Sequence, residues 1–154
     1  METLVLSKNQ FSKLKQLVVP DEISNTECSL YYYSTRNSSM DYILKIFNDT
    51  SGTNFGKKLN TINTLIDNKN AINIDEMILP IKLVIVDNKV VGYLMEYKRN
   101  NINLIHLLNN SKIDISRKIL YLTEIEKILT NIKYIEKFKD SYIFVNTNFK
   151  RKNE

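Results

Sequence analysis

Cysteine is almost missing from this chain of 154 residues. Its one copy, Cys28, rules out a disulfide within the molecule. The single histidine, His106, leaves no Cys/His cluster, which excludes a zinc site of that kind. Tryptophan is absent, and three glycines and two prolines are too few for a flexible or Pro-rich linker. No run of 18 apolar residues occurs, so no membrane-spanning helix is expected. The start, Met1-Glu-Thr-Leu4, shows no basic region followed by an apolar stretch. A secretory signal is therefore not expected, and the free thiol fits a reducing cytoplasm.

What is present suffices for a core. The chain is 43% hydrophobic and 25% charged, the balance of a folded domain rather than a disordered one. The net charge is +5. Lysine supplies 18 of the 22 cations, and with 20 Asn and 20 Ile it reflects a strong compositional bias. The lysines are spread along the chain without forming a stripe. Nucleic-acid binding is not expected, because clustered cations are its footprint.

Periodicity supplies the organisation. Ser7-Lys-Asn-Gln10 has the form of a capping box, with Phe11, Leu14, Leu17 and Val18 at helical spacing. An N-terminal helical segment is expected over residues 1–19. Cys28–Ser34, with Tyr31, Tyr32 and Tyr33, and Tyr42–Phe47 read as the two strands of a hairpin. On the second strand Lys45 interrupts an otherwise apolar face between Ile43 and Phe47. Phe55, Leu59, Ile62 and Ile66 recur at helical spacing. Ile78–Val86 and Val90–Tyr97 read as a second hairpin about an Asp87-Asn-Lys89 turn, and Gly92 marks a bulge or a close backbone approach. A short helix over Leu104–Leu108 and a long one over Ser116–Ile135 follow. The long helix carries Ile119, Leu122, Ile125, Ile128, Leu129, Ile132 and Ile135 on one stripe. Residues 137–154 read as a polar tail. Two antiparallel hairpins around one helix predict an α+β unit whose sheet packs on that helix.

These landmarks, in this order, resemble the N-terminal lobe of the protein kinase superfamily running into the first helices of the C-terminal lobe. Tyr42-Ile-Leu-Lys45-Ile-Phe47 resembles the third strand with its phosphate-binding lysine. Residues 55–67 resemble helix C, and Val90–Lys98 the fifth strand entering the hinge. Asn103-Leu-Ile-His-Leu-Leu108 and the helix from Ser116 resemble the helices that follow. The resemblance implies an N-lobe over 20–97, and a hinge with the first C-lobe helices over 98–136. It also implies ATP as ligand. Lys45 would hold the α- and β-phosphates. Met95 would be the gatekeeper, and the Glu96 carbonyl and Lys98 amide would meet the base.

The departures bear on chemistry. The place of the Gly-rich loop, Ile23–Ser29, holds no glycine. Helix C would offer Asn60 or Thr61 where a glutamate pairs with the lysine. Lys45 is then expected to reach solvent, a phosphate or an acid such as Asp67, because an unpaired buried cation is costly. After the long helix no His-Arg-Asp and no Asp-Phe-Gly occur, so the base and the magnesium carboxylates of phosphoryl transfer are missing and Mg is not expected to be well held. The expected protein is a truncated, non-catalytic kinase-like domain that retains weak nucleotide binding. The alternative is a protein–protein interaction or self-association module that uses the apolar stripe of helix 116–135. His106, beside leucines and without a partner acid, is expected to be structural.

Overall fold

The computed structural model describes residues 2–18, 27–35, 41–70, 78–98, 101–133 and 148–150. The chain divides into two units, residues 1–71 with 79–97, and residues 72–78 with 98–154.

The first unit is built on a five-stranded sheet. Strand β1 is Thr3–Leu6, β2 Cys28–Ser34, β3 Asp41–Phe47, β4 Pro80–Val86 and β5 Lys89–Glu96, and their order across the sheet is β1-β4-β5-β3-β2. Both expected hairpins form. In β2–β3 Tyr32 lies opposite Ile43, and in β4–β5 Leu83 lies opposite Tyr93. The hairpins join through antiparallel pairing of β3 with β5, which puts the lysine strand at the interior of the sheet. The β4–β5 turn uses Asp87 and Asn88 at φ 54° and 59°. Both residue types tolerate this left-handed region, as a two-residue hairpin loop requires.

Helix α1 is Lys8–Ser12, and it corrects the expected N-terminal helical segment. The capping box is real: the Ser7 hydroxyl accepts from the Gln10 N–H at 3.1 Å, and the Ser7 N–H donates to Gln10 Oε1 at 2.8 Å. The helix nevertheless stops before Leu14. The next backbone groups are taken by the sheet edge, where the Leu17 N–H donates to the Leu30 carbonyl and the Tyr32 N–H to the Lys15 carbonyl. Before the helix, Thr3–Leu6 is a strand paired in parallel with β4. A four-residue apolar run is too short for its period to be read.

Alternation gives the sheet two apolar faces. Leu6, Leu44, Ile46, Val84, Val86 and Leu94 form one buried cluster, and Leu4, Phe11 and Leu14 of the N-terminal segment pack against it. The other face carries Ile43, Lys45 and Phe47. Helix α2, Phe55–Asp67, packs against β4. Its expected apolar face is present, with Leu65 and Ile66 buried. Phe55 meets Phe47 edge to face, with ring centroids 5.3 Å apart.

The second unit contains β6 (Asn101–Asn103), helix α3 (Leu104–Asn109), helix α4 (Ile115–Lys133) and β7 (Asn148–Lys150). Strand β6 pairs antiparallel with β7, which corrects the polar tail at residues 148–150. Strands this short carry almost no local signal, and only the partner strand supplies their hydrogen bonds. The Lys118 ammonium donates to the Leu108 carbonyl at 2.7 Å and ties α4 to α3. The Ser116 hydroxyl donates to the Asp114 carboxylate just before α4 and holds that carboxyl below its ordinary value. The expected turn at 36–39, the connection at 71–76 and the stretch 142–146 lie outside the described residues.

A candidate anion site on the inner sheet face

Lys45 sits on the interior strand β3, opposite Leu30 of β2 and Tyr93 of β5. Partners in register share a face, so Cys28, Leu30, Tyr32, Ile43, Phe47, Tyr93 and Met95 surround it on the same side. The lysine is 7% exposed. Among the described residues no carboxylate lies within 4.0 Å of its ammonium. The sequence expectation that it reaches solvent or Asp67 does not hold. Asp67 is exposed at the far end of α2. The burial arises because both neighbouring strands present bulky side chains along the path of the lysine stem.

Burial and four neighbouring groups act on the ammonium. Its Nζ stands 5.9 Å from the centroid of the Tyr93 ring, within reach of a cation–π attraction. Burial pushes the Lys45 pKa below its ordinary value, the neighbouring Cys28 and Glu27 pull it back up, and the cation of Lys58 lowers it further. Burial likewise raises the thiol of Cys28, against the opposing pull of Lys45, and raises the phenol of Tyr93. Cys28 is buried on its strand, as free cysteines usually are.

The polarity around the lysine is reversed from the one the resemblance implies. Helix α2 offers a cation, Lys58, and the carboxylate comes from Glu27, just before β2. The two form an ion pair at 3.0 Å. They also form part of the wall of an open depression of about 330 Å³, together with Phe47, Asp49 and Phe55. Tyr93 and Lys58 escaped the sequence reading. Tyr93 is 48 positions from Lys45, and only the β3–β5 register brings the two together.

Met95 lies opposite Ile43, on the Lys45 face and two residues further along β5 than Tyr93. Glu96 is opposite Tyr42, so its side chain belongs to the other face. The Tyr97 N–H donates to the Asp41 carbonyl at 2.9 Å. Backbone groups alternate along a strand, so those of Glu96 turn to the other side of β5. Lys98 is half-buried and belongs to the second unit. His106 is exposed on α3. Lys45 and Met95 are thus brought onto one face, whereas the Glu96 side chain lies on the other.

Among the described residues no three His, Cys, Asp or Glu side chains group so as to hold a metal ion. Among the same residues no helix is long and apolar enough to cross a membrane. The fold and site define an α+β protein that, among the described residues, buries one cation, Lys45, on a face of its sheet. No family model matches the chain, and no curated protein matches it.

Proposed function

We propose that this chain is a protein-kinase-like nucleotide-binding module without phosphotransfer chemistry. In this reading Lys45 holds the phosphates of ATP and the base lies along the Met95–Glu96 end of β5. The observation that carries the reading is the buried Lys45, without a carboxylate within 4.0 Å among the described residues, on a strand hydrogen-bonded to β5. A cation kept out of water at such cost is stabilised by a bound anion. One nucleotide can meet both the lysine and the hinge strand only if their strands are neighbours, and β3 and β5 are. No His-Arg-Asp occurs in residues 137–154, which follow the long helix, and this supports the non-catalytic half of the proposal.

Thermal unfolding with and without millimolar Mg-ATP tests it. A ligand at about a hundred times its dissociation constant adds roughly 2.7 kcal/mol. For a chain of this size that raises the melting point by about 5–10 °C. The rise is expected in the wild type and is expected to vanish in Lys45→Ala. A melting point indifferent to ATP, or a rise that survives in Lys45→Ala, overturns the assignment. Transfer of labelled phosphate by the pure chain overturns the non-catalytic part.

A second reading rests on α4. Ile115, Ile119 and Leu122 are 73%, 58% and 44% exposed and form one line at i, i+4 and i+7. This is a narrower and partly different stripe from the expected one, because Ile125 is buried. An exposed apolar line of this kind suits a partner helix or a second copy of the chain. Sedimentation is expected to show concentration-dependent association that Ile119→Glu abolishes. A monomer at all concentrations removes this reading.

A further inference from the structure

The two edges of the five-stranded sheet are treated differently. At the β2 edge Gln16 bridges Tyr31, the Leu17 N–H donates to the Leu30 carbonyl at 2.8 Å, and the Tyr32 N–H donates to the Lys15 carbonyl at 2.9 Å. The chain thus covers that edge itself. At the other edge stands β1, with no strand beyond it among the described residues. The strands β4 and β5 separate it from the Lys45 strand. The Leu83 N–H donates to the Glu2 carbonyl at 3.1 Å. Backbone groups alternate along a strand, so those of Leu4 also turn toward β4, and those of Thr3 and Val5 turn away. Two N–H groups and two carbonyls therefore line the open edge. Thr3 is exposed, and Val5 is 66% exposed. Proline, an inward charge or a bulge ordinarily blunts such an edge. Thr3-Leu-Val-Leu6 has neither proline nor charge, and its pairing with β4 runs without a shift of register.

This edge is complementary to itself. About a two-fold axis at Leu4, an antiparallel second copy sets its Val5 opposite Thr3 and its Thr3 opposite Val5. Each is a hydrogen-bonded pair, so all four outward backbone groups find partners. Leu4, which packs on the buried cluster, meets Leu4 of the second copy on that face. Thr3 and Val5 cover each other on the opposite face. Charge selects the antiparallel sense. Glu2, paired with Lys69, precedes the strand, and Lys8, paired with Asp87, follows it. The antiparallel sense sets the Glu2 end of one copy against the Lys8 end of the other, whereas a parallel one sets like ends together. We infer that β1 pairs with β1 of a second copy of this chain, antiparallel and with Thr3 opposite Val5, so that the two sheets run on as one. A four-residue edge buries far less than a stable interface needs, so the dissociation constant is expected to be on the order of a millimolar. The pair is scarcely populated at the micromolar concentrations of sedimentation, and the result expected there for α4 is unchanged.

Isotope-filtered nuclear Overhauser spectroscopy tests this on the full chain, with labelled and unlabelled copies mixed equally at millimolar concentration. Contacts between molecules are expected from Leu4 to Leu4 and from Thr3 to Val5. Val5→Pro removes an N–H that faces away from β4, so it leaves the ladder within the chain intact and is expected to abolish these contacts. Val5→Lys places a charge on an exposed edge position and is expected to abolish them as well. Contacts that survive both variants overturn the pairing. So do contacts confined to Ile119 and Leu122 of α4, which would leave the second reading standing, and so does the absence of any contact between wild-type molecules. If Val5→Pro does not fold, Val5→Lys and the wild-type contacts still decide.

Discussion

Replacing Lys45 with methionine is expected to stabilise the folded chain by about 1–2 kcal/mol at neutral pH, and to abolish any response to ATP. Methionine keeps the unbranched stem and removes the charge. The variant gives up a cation–π contact worth about 0.5–2 kcal/mol. It escapes the desolvation of an ammonium that no carboxylate among the described residues approaches within 4.0 Å. The lowered pKa of Lys45 indicates that burial outweighs the attraction of Cys28 and Glu27. The pH dependence follows from linkage. In the unfolded chain the lysine titrates near its ordinary 10.5, and in the folded chain it titrates lower. Below the folded value both states hold the proton and the full penalty applies. Between the two values the unfolded state binds more protons, so stability rises with pH. Cys28 and Tyr93, raised by burial, act in the opposite sense above their ordinary 9.0 and 10.0, but they are present in both proteins and largely cancel in the comparison. The advantage of Lys45→Met is therefore expected to be largest at neutral pH and to shrink toward pH 10.5. Chemical denaturation across that range measures it. A variant less stable than wild type at pH 7 would mean that the ammonium contributes more than it costs.

Gly92→Ala is expected to be among the most damaging single substitutions in the sheet. Gly92 is buried on β5 between Ile46 of β3 and Val84 of β4. An added Cβ would stand 2.9 Å from the Ile46 Cα and from the Lys45 carbonyl carbon, and closer still to the Lys45 carbonyl oxygen. These are backbone atoms of an interior strand, so nothing can swing aside and β3 and β5 must part. The expected cost is about 3 kcal/mol or more, at the upper end of overpacking effects. That corresponds to a fall in melting point of about 6 °C or more. Gly56→Ala is the control. No atom lies within 4 Å of its added Cβ, and it sits in a helix. It is expected to be neutral or to stabilise by up to about 1 kcal/mol. Equal, small effects at both glycines would contradict the close approach.

The same strand explains how much of the candidate site was legible. Lys45 stands out in the sequence because a charge interrupts the Ile43–Phe47 alternation, and Gly92 stands out as a glycine inside a strand. What surrounds the lysine did not stand out. Tyr93 and Cys28 reach it through the register of β5 and β2, and a one-residue slip in either pairing would send them to the opposite face. The absence of an acid in the first turns of α2 was visible in the sequence. That Glu27, near β2, would pair instead with a lysine of that helix was not.

The sequence by itself determined the two hairpins, the turn at Asp87 and Asn88, the helix from Phe55 and the long helix from Ile115. In each of these the apolar period of two or 3.6 is carried by local residues and bounded by local turn or cap signals. It also determined the capping box at Ser7. The tertiary structure alone decided that the two hairpins join through β3 and β5, and that Thr3–Leu6 pairs in parallel with β4. It likewise ended α1 at Ser12 and paired Asn148–Lys150 with Asn101–Asn103. Each of these rests on hydrogen bonds between backbones distant in the chain, and a backbone N–H or carbonyl is alike at every residue. Only the apolar surface buried when the segments meet distinguishes one pairing from another.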